Sequence, residues 1–163
     1  MSNNTSSVKL NEIDQAWVDA LRSGKHKQGT NGYLCEINKG ERYECCLGVL
    51  LNIREDPTVI IDKTKVVWEY KQPTVVKVAS LPAGFLTRSG LFTSVGGFRS
   101  IWHIDNSSAL SLGGLNDSGH TFAQIADFIE AFPWVVFRHY DEPDGVEFDL
   151  PVSFGGGKLV KIG

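Results

Sequence analysis

The sequence predicts a single-domain α+β fold, with a mainly antiparallel sheet and about three packed helices. Residues 11–22 and 121–132 carry apolar side chains at helical spacing and begin with residues that cap helices. Residues 58–79 instead carry runs of β-branched side chains divided by turn residues. The 163 residues are 42% hydrophobic, which is enough for one buried core. We expect residues 1–9 to form a flexible tail and residues 10–163 to form one domain.

The first predicted helix begins after Asn11, whose side chain suits an N-cap, and runs to about Arg22. Gly24 lies where a left-handed residue commonly ends a helix. The predicted buried face of this helix comprises Ile13, Ala16, Trp17, Ala20 and Leu21.

Turn residues and an apolar run follow. A hairpin is predicted around Asn31-Gly32, with its second strand over residues 33–37 and another turn at residues 38–40. Residues 43–53 are almost wholly apolar and suit a short buried helix. Gly48 lies inside it at a cost of about 1 kcal/mol relative to alanine. We therefore expect another backbone to pack closely against Gly48.

The second half of the chain mixes strand and helix patterns. After the β-branched residues 58–79, one or two helical turns are predicted over residues 81–91, opened by Pro82 and closed by Gly90. The remaining predicted strands cover residues 98–104, 134–140 and 146–150, the last two as a hairpin. A short apolar end follows at residues 159–162.

Residues 110–120 are polar and rich in glycine, and we expect them to form a loop that leads into the second long helix. Thr121 and Gln124 have the spacing of a capping box, and Pro133 ends the helix. Because a helix N-terminus presents free N–H groups and the positive end of its dipole, the loop predicts an anion-binding position. The alternative is that Asn116 and Asp117 only shape a turn.

Composition argues against several classes of protein. A net charge of −3 and a pI of about 5.8 disfavour binding to a nucleic-acid polymer, and no apolar run approaches the length of a membrane span. The odd count of cysteines, Cys35, Cys45 and Cys46, indicates free thiols in a reducing cytoplasm. With a histidine as base, Cys45 or Cys46 would be a nucleophile, but their apolar surroundings favour a structural role. No motif indicates a metal or a cofactor, and we expect neither.

Aromatic and cationic side chains near turns suit a small nucleotide ligand rather than a polymer. Trp102 offers a face on which a base stacks, and Arg22, Lys27 and Arg99 offer cations for phosphates. The alternative interpretation is that the tryptophans fill the core.

Three segments resemble a family of small uncharacterised proteins encoded by phages and prophages. They are AWVDALRSGKHKQG (16–29), YECCLGVL (43–50) and GLNDSGHTFAQIADFIE (114–130). Two residues depart from the family pattern: His26 stands where an aromatic residue is usual, and Glu44 precedes the cysteine pair. The resemblance implies a phage origin, action inside a bacterial cell and an accessory role.

We therefore expect an accessory protein, in the cytoplasm of the infected host, that sequesters a small nucleotide-type immune signal and so inhibits anti-phage defence. The signal would be a cyclic ADP-ribose isomer or a cyclic oligonucleotide. The residues expected to bind it are Asn116, Asp117, His120, Thr121, Arg22, Lys27, Gln28, Trp102 and Arg99. Replacing Asn116 and Asp117 by alanine should then abolish binding and barely change the melting temperature.

Two alternatives remain open. The protein would be an inhibitor that binds a host defence enzyme, or a small nucleotide hydrolase with His120 as base and Asp117 as its orienting group. The sequence also leaves open whether the chain forms a homo-oligomer.

Overall fold

Helices and short strands alternate along residues 8–54, 60–61, 68–69 and 80–163, which the computed structural model describes. The helices are α1 (Glu12–Arg22), α2 (Cys46–Ile53), α3 (Ala83–Ser89), α4 (Leu112–Asp117), α5 (Phe122–Ala131) and α6 (Pro133–Val136). The strands are β1 (Lys27–Gln28), β2 (Cys35–Asn38), β3 (Glu41–Glu44), β4 (Ile60–Ile61), β5 (Trp68–Glu69), β6 (Trp102–Ile104), β7 (Glu147–Asp149) and β8 (Lys158–Lys161). The predicted α+β class is confirmed, with more and shorter helices than expected.

The strands form small separate sheets rather than one large one. Strand order is β1-β3-β2 in the first sheet and β6-β8-β7 in the last, while β4 pairs with β5. Among the described strands, the pairings are antiparallel except that of β1 with β3. The predicted hairpin at Asn31-Gly32 is therefore wrong. The tight turn lies at Lys39-Gly40, within the turn predicted for residues 38–40, and both φ angles there are positive, 51° and 81°, as a two-residue hairpin turn requires.

Local capping sets the ends of α1 as predicted. The Oδ1 atom of Asn11 accepts a hydrogen bond from the Asp14 amide at 2.8 Å, and Gly24 has a φ of 70°. The predicted face is only partly right, because Ile13 is 59% exposed and Ala16 is also exposed. The buried residues are Asp14, Trp17, Val18 and Leu21.

Asp14 enters the core because it has several hydrogen-bond donors. Its carboxylate accepts from the Tyr140 hydroxyl at 2.8 Å and from an Arg54 guanidinium nitrogen at 3.2 Å, and lies 2.7 Å from Nε2 of His139. A buried carboxylate is tolerated only with such partners. Asp14 thus fastens α1 to the end of α2 and to the chain that follows α6.

Helix α2 is buried along most of its length, as its apolar sequence predicts. A Cβ atom built on Gly48 would lie 1.8 Å from the carbonyl oxygen of Leu34, so only glycine fits at this position. The predicted close approach of another backbone is confirmed. The indole N–H of the fully buried Trp17 donates to the carbonyl of Cys46 at 2.9 Å and joins α1 to α2.

Three further sequence expectations need correction. The segment 110–120 is not a loop throughout, because Ser111 caps the short helix α4. Only Trp102–Ile104 of the predicted strand 98–104 pairs in a sheet. The predicted hairpin of residues 134–140 with 146–150 is wrong, since Pro133 starts α6 and β7 pairs with the C-terminal strand β8.

The prediction for residues 81–91 is confirmed, and the predictions for residues 58–79 and for the tail lie mostly outside the described residues. Helix α3 has Pro82 before it and Gly90 after it in a left-handed conformation, as predicted for residues 81–91. Most of the predicted strands in residues 58–79, and the start of the N-terminal tail, lie outside the described residues. No helix in the described ranges is long and apolar enough to cross a membrane.

Candidate functional site

The three segments that carry the phage-family resemblance meet at one side chain, Asn116. This side chain is fully buried. Its Oδ1 atom accepts from Nε2 of Gln28 at 3.0 Å and from the Cys46 amide at 3.3 Å, and its Nδ2 atom donates to the Gly29 carbonyl at 2.7 Å. One amide therefore joins the turn after α1, the start of α2 and the end of α4.

Gln28 extends this arrangement to the start of α5. Its Nε2 atom also donates to the carbonyl of His120 at 2.7 Å, and its Oε1 atom accepts from the Phe122 amide at 3.0 Å. We call Gln28, Gly29, Cys46, Asn116, His120 and Phe122 the Asn116 hub. The two polar segments expected to face each other across a ligand are bonded directly to each other. Their role in the structure is to fix four elements in place.

The N-terminus of α5 uses its donors within the chain. The predicted capping box is confirmed: Thr121 Oγ1 accepts from the Gln124 amide at 3.2 Å, and Gln124 Oε1 accepts from the Thr121 amide at 2.8 Å. The Phe122 amide already donates to Gln28. The N–H groups expected to bind an anion are thus largely occupied by side chains.

His120 lies half-buried on this turn. Its Nδ1 atom is 3.1 Å from the Ser118 hydroxyl and 3.2 Å from the Leu115 carbonyl, and its ring packs on Phe154 with centroids 4.9 Å apart. These contacts hold the ring against the chain's own side chains.

The predicted cations of the site are paired elsewhere. Arg22 binds Asp127 and Glu130 of α5 at 2.5 and 2.8 Å, and Lys27 binds Glu41 at 2.5 Å. These hydrogen-bonded carboxylates raise the pKa values of both cations, while partial burial opposes the shift at Arg22.

Arg99 and Trp102 lie apart from the Asn116 hub. Arg99 binds Glu142 at 3.1 Å and lies over the ring of Phe92. Trp102 is 2% exposed and packs on Phe148 with ring centroids 5.6 Å apart, so its indole belongs mainly to the core.

A groove opens beside the hub. One part, of about 290 Å³, is lined by Gly32, Cys45, Leu47, Val95, Ser111, Gly113, Gly114 and Asp117. A second part, of about 450 Å³, is lined by Thr93, Val95, Gly97, Phe98, Ser100, Trp102, Leu110, Ser111 and Ile162. Because Val95 and Ser111 line both parts, they adjoin, and we call the whole the Val95 groove. Of the nine predicted ligand-binding residues, Asp117 and Trp102 line it.

The Val95 groove has few polar side chains, and hydrogen bonds within the chain hold two of them, Asp117 and Ser111, in place. Asp117 is exposed and accepts from Nδ2 of Asn116 at 3.2 Å, so the buried hub orients its carboxylate. Ser111 Oγ accepts from the Gly114 amide at 2.9 Å as the cap of α4. No lysine, arginine or histidine is among the described residues that line the groove.

Cys45 caps α2 at the wall of the groove, and its Sγ atom accepts from the Gly48 amide at 3.4 Å. A hydrogen bond from the Cys46 thiol lowers the pKa of Cys45; burial opposes this shift, and the Gly48 and Leu47 amides add to it. Burial raises the pKa of Cys46. The described groove wall has no histidine to pair with Cys45, and both thiols are buried, in line with the structural role that the sequence favours.

Val95 and Ser111 were not anticipated from the sequence. Ser111 has a local signature, a serine three residues before Gly114 at the start of a helical turn, which is typical of an N-cap. Val95 has none, because its position depends on how residues 93–97 fold against α4. Within the described ranges, no group of three His, Cys, Asp or Glu side chains is placed to hold a metal ion.

Comparison with known proteins places the chain in a family without assigning an activity. No curated protein matches the chain, and no solved structure matches it. A family profile described as a domain of unknown function, DUF8296, matches residues 9–132, which include α1 to α5 and all three convergent segments. The chain therefore belongs to the DUF8296 family.

Proposed function

We propose that this protein binds and sequesters a small nucleotide-type immune signal in the Val95 groove, and so inhibits anti-phage defence in an infected bacterium. The observation that carries the proposal is the convergence of the three phage-like segments on the Asn116 hub, whose chain neighbours Cys45, Leu47 and Asp117 line the groove. A buried hub of this kind holds the groove wall in one geometry before a ligand arrives. Such preorganisation reduces the entropic cost of binding.

The lining of the groove suits the nucleoside part of a nucleotide. Its two parts, about 290 and 450 Å³, are in the size range of small-molecule sites. The Asp117 carboxylate is an acceptor for ribose hydroxyl groups, and the exposed side chains of Val95, Leu110 and Ile162 contribute apolar surface for a base. With no cation among the described lining residues, the phosphates of the ligand would face solvent.

The same chemistry favours sequestration over turnover. The described lining offers one carboxylate and no histidine, so it lacks an acid–base pair for hydrolysis of a phosphodiester. A protein that sequesters a signal needs only tight binding. The resemblance to phage and prophage proteins supports the proposed setting, an infected bacterial cell.

A second candidate function has one observation in its favour. Apolar side chains at the second part of the groove are exposed, with Leu110 at 62%, Ile162 at 55% and Val95 at 42%. Exposed apolar clusters commonly mark protein interfaces. A host defence enzyme bound at this surface would make the protein a protein–protein inhibitor.

The test uses a variant that fills the groove. Val95 is exposed and lines both parts, so Val95→Trp should block the groove while sparing the core. The matched control is Val146→Trp, because Val146 is 70% exposed and does not line the groove. Both variants and the wild type are incubated with cyclic ADP-ribose isomers, cyclic dinucleotides and the parent nucleosides, then freed of unbound ligand.

Thermal shift is recorded, and mass spectrometry identifies any molecule released by heating. We expect intact ligand to be recovered from the wild type and from Val146→Trp, and not from Val95→Trp. Recovery of altered ligand would indicate an enzyme. Absence of any shift, together with co-purification of a host protein that Val95→Trp disrupts, would favour the protein inhibitor.

A further inference from the structure

A second cleft lies between α1, the end of α2 and α3. Its volume is about 570 Å³, and it does not share any described lining residue with the Val95 groove. The residues that line it are Glu12, Ile13, Ala16, Ile53, Arg54, Phe85 and Arg88. We call it the α1–α3 cleft.

Helix α1 contributes apolar side chains that the fold leaves uncovered. Ile13 is 59% exposed, and Ala16 is also exposed, although both have the spacing of a buried helix face. The buried face of α1 consists instead of Asp14, Trp17, Val18 and Leu21. Ile13 and Ala16 therefore present apolar surface to the cleft, which Phe85 also lines.

Arg54 supplies a partly buried cation at the same place. One guanidinium nitrogen lies 3.2 Å from Asp14, another 3.5 Å from the Arg88 carbonyl, and the group lies 5.9 Å from the centroid of the Phe85 ring. Its Nε atom is buried without a hydrogen-bond partner within the described part of the chain. Burial lowers the pKa of Arg54, and the charge of Asp14 opposes this.

The Asp14 carboxylate compensates Arg54 only in part. It also accepts hydrogen bonds from the Tyr140 hydroxyl and from Nδ2 of Asn11, and it contacts His139. The cleft is thus lined by apolar side chains and by the partly desolvated guanidinium group of Arg54. The charged residues that line the cleft are Arg54, Arg88 and Glu12.

We propose that the α1–α3 cleft binds a small amphipathic monoanion, namely a carboxylate with an aliphatic or aromatic body. The body would cover Ile13, Ala16 and Phe85, and the carboxylate would accept hydrogen bonds from the Arg54 guanidinium group. Glu12 at the same wall disfavours a polyanion. This site is independent of the proposed nucleotide site.

The test is displacement of the fluorescent probe anilinonaphthalene sulfonate, itself an aromatic monoanion. Three competitors share one ten-carbon tail: decanoate, decanol and decylamine. We expect decanoate to displace the probe at concentrations at least about tenfold lower than decanol or decylamine, because only the carboxylate pairs with guanidinium. Equal displacement by all three would overturn the proposal, since it would indicate apolar adsorption alone.

A pair of variants tests the location. Ile13 is exposed, so Ile13→Glu and Ile13→Lys should fold alike, which thermal melting checks. We expect Ile13→Glu to weaken decanoate binding at least about tenfold relative to Ile13→Lys, because it adds a like charge. Equal binding by the two variants would place the anion elsewhere. Val95→Trp should leave decanoate binding unchanged, which separates this proposal from the nucleotide proposal.

Discussion

The hub residue Asn116 offers the sharpest test of how this fold is held together. Replacing it by alanine leaves the buried Cys46 amide and the part-buried Gly29 carbonyl without their partner. An unsatisfied buried polar group costs about 1–3 kcal/mol. We therefore expect Asn116→Ala to lower the free energy of unfolding by about 3–4 kcal/mol. For a chain of this length, that loss lowers the melting temperature by roughly 10 °C.

The matched control is its neighbour, Asp117→Ala, because Asp117 is exposed. This change should alter the free energy of unfolding by no more than about 0.5 kcal/mol. Urea denaturation followed by tryptophan fluorescence measures both variants against the wild type. The expectation from sequence alone was that losing both side chains would barely change the melting temperature. If Asn116→Ala lowers the free energy of unfolding by less than about 1 kcal/mol, Asn116 contributes little to stability and the structural hub is refuted.

Three further predictions follow from the described geometry. Helix propensity alone would make Gly48→Ala stabilising by about 1 kcal/mol. Because the added Cβ atom would lie 1.8 Å from the Leu34 carbonyl oxygen, we expect the variant to be destabilised by about 3 kcal/mol instead. Urea denaturation measures the change, and a variant more stable than the wild type would contradict the close contact. Cys45, with its lowered pKa and its place on the groove wall, should react with iodoacetamide before the fully buried Cys46; peptide mapping measures the order, and equal rates would contradict it. Burial raises the pKa of Tyr140 from 10.0 to about 12. Because the folded pKa is the higher one, the stability it contributes is complete below about pH 10 and is lost toward about pH 12. The wild type should therefore lose more stability than Tyr140→Phe between about pH 9 and about pH 11, and parallel losses would argue against the shift.

Local sequence predicted the elements whose ends are set by nearby residues. Asn11 caps α1, Thr121 and Gln124 form their box, and Gly90 ends α3, because each of these contacts spans only a few residues. The crowded position of Gly48 was also readable, since a glycine inside an apolar helix indicates a close neighbour.

What sequence did not predict depends on contacts between distant residues. The parallel pairing of β1 with β3 overrides the turn preference of Asn31-Gly32. The position of the Val95 groove follows from how residues 93–97 meet α4, which no local pattern encodes. From the sequence, Gln28 and Asn116 were expected to bind the ligand from opposite sides. Their bond across 88 positions makes them a scaffold beside the proposed site rather than its two walls.

We propose that the Val95 groove holds a small nucleotide-type ligand without converting it. The most direct measurement is mass spectrometry of the molecule that heating releases from the wild type, from Val95→Trp and from Val146→Trp after incubation with cyclic nucleotide signals. We expect intact ligand from the wild type and from Val146→Trp, and none from Val95→Trp. Equal recovery from all three proteins, or recovery from none, would contradict the claim.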